Sequence, residues 1–192
     1  AKAIAFDVMF PEPDRTSPEQ MLTWMAPEHA EQLRGVIAGW PTHDGLFANA
    51  LARNPTVLGA TLQGEAQQQS FPLKAGIVLA GDNPLAFLPG FSGFSGNLPA
   101  LTEAAHGVGS INWVPDADQV VRRVPLLFRQ GDAIVPSLAL EVLRIFDGES
   151  TYIVRSSNAH GSNAFGRGSG VNQVRVGARA FSTDAESAVW IH

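Results

Sequence analysis

The order of patterns in the first sixty residues constrains the fold of this chain more than any other feature. Residues 4–10 are a short apolar run of strand-forming residues with one acid, Asp7, inside it. Pro11 and Pro13 end the run, because proline cannot donate to a strand ladder. Ser17-Pro18-Glu19 then offers a helix start, with a capping serine, proline at the first helical position and an acid in the first turn. Pro27 splits the helical stretch, and Leu33, Val36 and Ile37 supply an apolar face before Gly39 and Pro41. Thr42 or His43 opens a second helix through Leu46, Phe47, Ala50 and Leu51. After Asn54-Pro55, residues 56–60 read as a buried strand. Strand, helix, strand predicts a parallel pair joined by a helical crossover.

Further along, residues 63–70 form a polar loop and residues 75–80 another strand. Residues 81–96, rich in glycine, proline, serine and phenylalanine, give no regular pattern. A short helix begins at Asn97-Leu98-Pro99-Ala100 and runs to Ala105. Residues 108–114 and 120–128 are β-rich runs on either side of an aspartate-rich turn, which predicts a hairpin. Pro136-Ser137 leads into a helix apolar on most sides, from Leu138 to Phe146. Residues 151–154 read as a strand and residues 156–170 as a long flexible loop. Residues 171–176 and 188–191 are expected to form a last hairpin. The fold class is therefore α/β: a single domain over residues 1–192, with a central mixed sheet carrying residues 4–10 and 120–128, flanking helices and a C-terminal β-hairpin.

Composition narrows the function classes. The chain is 45% apolar and 16% charged, and 192 residues bury enough surface for a core without staples. No cysteine is present, which excludes thiol catalysis, thiolate metal sites and disulfides. The net charge is −5 and the thirteen basic residues are scattered apart from Arg122-Arg123, a distribution unlike a nucleic-acid footprint. No run of apolar residues is long enough to span a bilayer. Both ends are strand-like, and the chain is expected to be an excised piece of something longer.

The catalytic motifs are missing. Gly93-Phe94-Ser95-Gly96 lacks the spacing of a nucleophile elbow, and neither lysine, Lys2 or Lys74, sits in a phosphate-binding loop. The five histidines are isolated, with no paired zinc spacing. Asp116 and Asp118 begin like a calcium loop, but Val121 and Leu127 occupy the positions that need glycine and an acid, so a hydrogen-bonding turn is expected. His43-Asp44 is expected to cap a helix. No catalytic residue, metal or cofactor is assigned. Asp7, an acid within an apolar strand, needs a cation, and a structural ion pair with Arg123 is expected. Strand alternation turns Arg122 the other way, so Arg122, with Trp113 and Asp118, forms the candidate ligand-binding set. Phe87, Phe91 and Phe94 are further candidates for a pocket lining, weighed against plain packing.

At this turn the chain resembles a known family. Gly107-Val108-Gly109-Ser110-Ile111-Asn112, then Asp116 to Leu126 with Asp118, Arg122 and Pro125, then Pro136-Ser137-Leu138-Ala139-Leu140-Glu141 are similar to the CHASE2 pattern G-x-x-N, D-x-D-G-x-x-R-x-x-P-L and P-S-L-A-L. Phe6 to Asp14 and the segment from Leu51 to Leu58 look like further hallmarks. Gln119 stands where glycine is usual, and residues 156–170 look like an insertion.

The resemblance implies an extracytoplasmic sensor on the periplasmic side of a bacterial inner membrane. It implies flanking segments in the membrane and a cytoplasmic nucleotide cyclase or histidine kinase as output. The expected partners are an unidentified small-molecule or environmental signal and a second copy of the receptor, without nucleic acid. The competing readings are a stand-alone α/β hydrolase-like enzyme and a dimerisation module that binds no ligand.

Overall fold

In the computed structural model, residues 1–66, 69–159 and 169–191 are described. The first sheet is built as the crossover pattern predicts. β1 (Ile4–Phe6) lies parallel to β2 (Thr56–Gln63), with Ala5 opposite Val57, and α3 (His43–Ala52) runs between them in sequence. Two short helices precede α3: α1 (Pro18–Met21) and α2 (Pro27–Ile37). Thr42 starts α3 by accepting the Gly45 amide at 2.9 Å, so the threonine, and not His43 or Asp44, is the cap.

The chain then forms β3 (Gly76–Ala80), β4 (Gly90–Phe91), β5 (Gly93–Ser95), α4 (Pro99–Ala104) and β6 (Gly107–Ser110). β6 pairs in parallel with the first half of β2, and β5 pairs antiparallel with its last three residues. Side-chain alternation assigns the two faces of this sheet. Leu58 packs with Leu51, Leu101 and Ala105, so α3 and α4 cover its face. Gly107 and Gly109, level with Val57 and Gly59, point the opposite way, toward α5 (Leu138–Asp147).

Four elements lie between β6 and the end of α5. β7 (Arg123–Pro125) is followed by the hairpin of β8 (Leu127–Gln130) and β9 (Ala133–Pro136), turned at Gly131 with φ +55°. β4 pairs in parallel with β8. A separate mixed sheet orders β3 beside β10 (Thr151–Ser156), then β11 (Val171–Val176) and β12 (Arg179–Ser182). Its inner face supplies Tyr152, Val154, Val174 and Val176 to a core shared with Leu127 and Leu140.

Three expectations need correction. Residues 108–114 and 120–128 are not a hairpin: all four residues of β6 are buried, and such a strand belongs inside a parallel sheet, where β2 takes it. There is accordingly no single central sheet holding residues 4–10 and 120–128, since the latter divide between β7 and β8. The C-terminal hairpin exists, but its partners are β11 and β12. The last strand, β13 (Ala188–Trp190), pairs instead with β7. Of the loop at 156–170, residues 160–168 lie outside the described residues.

Candidate functional site

The connections that leave the first sheet enclose an open depression of about 550 Å³. Phe94 and three prolines, Pro11, Pro72 and Pro99, form its apolar wall. Its polar groups come from Gln69, Ser70, Ser95, Asn97 and Thr102, and none of the lining residues is charged. A smaller cavity of about 430 Å³ shares Gln69 and Ser70 and adds Asp132.

Amide side chains brace this region by standing in for strand backbone. Asn97 accepts the Phe10 amide at 2.8 Å and donates to the Gly59 carbonyl at 2.9 Å, which fixes Pro11 beside β2. Gln130, buried at the end of β8, accepts the Phe71 amide and donates to the Gln69 carbonyl, both at 2.8 Å. Asn112, beyond the end of β6, accepts the Leu62 amide at 2.6 Å and donates to its carbonyl at 2.9 Å. The Ser110 hydroxyl orients that amide by donating to it at 2.9 Å. Each amide satisfies one donor and one acceptor that the sheet no longer serves.

A second cluster occupies the aspartate-rich turn. Asp116 accepts Arg123 at 2.7 Å, and Asp118 accepts Arg122 at 2.7 Å; Arg122 also reaches Asp116 at 3.3 Å. Arg123 further binds Asp184 at 2.7 Å and lies over the Trp190 ring, 5.8 Å from its centroid. The network therefore ties the turn to β13. Hydrogen bonding to Arg123 holds the Asp116 carboxyl below its usual range, and Arg122 does the same for Asp118.

This geometry corrects the expected pair of Asp7 with Arg123. β1 ends at Phe6, so Asp7 lies beyond the strand and is exposed, while Arg123 is occupied by Asp116 and Asp184. The two arginines do not diverge either. Arg122 lies outside β7, so strand alternation does not govern it, and both guanidinium groups converge on Asp116. Arg122 and Asp118 engage each other, while Trp113 stands 61% exposed on the same connection. None of the three lines the depression, whereas Phe94 does.

His43 Nδ1 lies 3.1 Å from the Thr16 hydroxyl and 3.5 Å from Asp14, but that hydroxyl donates to Asp14 at 2.6 Å and closes a turn, so its proton is not directed at the imidazole. Nor do the described residues hold a cluster of three or more potential metal ligands. The sequence reading missed Asn97 and Gln130, which carry no motif. It also missed the buried set of Glu141, Arg144 and Tyr152 beneath the first sheet. The spacing of Glu141 and Arg144 on one helix face was a usable signal for that pair.

The α/β frame thus carries a braced depression without charged lining, and its ion pairs lie both in the aspartate-rich turn and along helices. The CHASE2 domain model matches residues 1–192, the whole chain, and the protein belongs to that family of extracellular sensory domains. No curated protein matches the chain, and no solved structure does.

Proposed function

We propose that this domain is the signal-input part of a bacterial transmembrane receptor, held on the periplasmic side of the inner membrane. Its state is passed to a cytoplasmic nucleotide cyclase or histidine kinase, and the receptor works as a homodimer. The domain itself performs no chemistry. The signal is a small molecule or an environmental condition. The observation that carries this reading is the CHASE2 match across the whole chain, and the braced but chemically quiet depression supports it. No helix among the described residues is long and apolar enough to cross a membrane, so the reading requires spanning segments outside residues 1–192. Sequencing the full reading frame tests it: apolar segments of bilayer length and a cyclase or kinase domain are expected, and a frame without either would overturn it.

A further inference from the structure

We infer that the depression bounded by Pro11, Ser70, Phe94 and Asn97 binds an uncharged, hydroxyl-rich small molecule of the sugar or polyol class. Its volume of about 550 Å³ suits a small ligand. The lining carries no charge, so an ionic ligand would lose hydration there without gaining a counter-charge. The polar lining offers both donors and acceptors, which match hydroxyl groups. Asn97 uses one donor and one acceptor on the backbone and keeps an N–H and a lone pair for a guest. Phe94 and the prolines supply apolar surface against which the C–H face of a pyranose ring can pack. Asn97 and Gln130 hold the rim in place before binding, which lowers the ordering cost of association.

This assignment deepens the sensor reading and rests on it for its biological sense, but the binding test does not depend on the reading frame. Glucose, N-acetylglucosamine and mannitol would be titrated calorimetrically against the purified chain, beside glucuronate and glucosamine as charged counterparts. At least one neutral compound is expected to bind, with its charged counterpart weaker by about tenfold or more. Ser95→Trp, which fills the depression, and Pro99→Trp, on its exposed rim, should each abolish that binding. Pro99→Trp keeps the test valid if the first variant does not fold. Binding preferred by the charged compounds, binding untouched by both folded variants, or no binding by any neutral compound would overturn the assignment. Neutral-ligand binding with no membrane segment in the reading frame would leave this site standing and sink the receptor reading instead.

Discussion

Glu141 and Arg144, one turn apart on α5, form a bidentate ion pair in which the two side chains are 0% and 6% exposed. The contacts are 2.5 Å and 2.9 Å, the Tyr152 hydroxyl donates to the same carboxylate, and Arg144 also donates to the carbonyls of Glu149 and His106. Burial works against the arginine's charge, but the bonds to Glu141 outweigh it and raise its pKa. Burial, and then the Glu141 charge, push the Tyr152 hydroxyl well above its usual range. The Arg144 guanidinium therefore keeps its charge, and the Tyr152 phenol keeps its proton, across any working pH.

Breaking one side of this pair strands the other charge in the core. Glu141→Ala and Arg144→Ala should each destabilise by roughly 3–5 kcal/mol in urea unfolding. The double variant Glu141→Leu/Arg144→Met should cost far less than the sum of the two, because it removes both charges together. Additive losses would show that the pair is not coupled.

Gly107 exists in this site for Glu141. A Cβ at position 107 would overlap the Glu141 carboxylate, which cannot retreat because Arg144 and Tyr152 hold it. Gly107→Ala should therefore destabilise by about 1–3 kcal/mol, as overpacking does. In Glu141→Leu/Arg144→Met the penalty should shrink, and an unchanged penalty in that background would locate the clash elsewhere.

Local patterns were legible where they carried their own punctuation. Ser17-Pro18, Thr42 and Pro136-Ser137 mark helix starts, and the helices begin there. The parallel pairing of β1 with β2 followed from the helix between them. Partner choice for the remaining strands was not local. Residues 108–114 read as β-rich by themselves, but burial of 107–110 on both faces sends them to β2 and not to the nearer run. Asp7 misled because it follows apolar residues: β1 stops one residue short of it, so it never enters the core. At the site, Asn112 was visible through the family pattern. Asn97 lies in an irregular segment and Gln130 closes β8, each a lone amide, and nothing in a sequence separates an amide that braces backbone from one that faces water. Glu141 and Arg144 betray their pairing only by their spacing, three residues apart on a helix that otherwise reads as apolar on most sides.

Asn112 replaces a missing strand at Leu62. Asn112→Ala would leave that amide and carbonyl without their partners, at a cost of about 1–3 kcal/mol. The loss should appear in amide exchange as faster exchange at Leu62, with little change at Leu58, whose pairing with β6 is independent of Asn112. Uniform acceleration across β2 would contradict this division.

Acid should loosen the aspartate-rich turn before the core. Asp116 and Asp118 have folded pKa values below the ordinary 3.8, so their contribution is complete above that value and is lost as pH falls through the lowered ones. Amide exchange in β7 and β13, which the Arg123 network joins, should rise below about pH 4. Salt should weaken the effect, since these groups are exposed. In Asp116→Asn the acid dependence should flatten; an unaltered profile would assign it to other carboxylates.

Gln119 keeps the turn in the shape that glycine favours. Its φ is +65°, in the left-handed region, and the turn around it is closed by the Asp116 amide on the Val120 carbonyl and the Gln119 amide on the Asp116 carbonyl. A side chain in that region costs about 1–2 kcal/mol through the approach of Cβ to the next carbonyl. Glycine removes that cost but adds freedom to the unfolded chain, worth about 0.4–1 kcal/mol in the opposite direction. Gln119→Gly should therefore stabilise by up to about 1.6 kcal/mol, and it should preserve the bond between Arg122 and Asp118. Gln119→Val, branched at Cβ, should destabilise by more than the glycine change gains. Chemical denaturation of the three proteins ranks them, with glycine most stable and valine least. A valine variant as stable as the parent would show that residue 119 does not hold a left-handed conformation in solution.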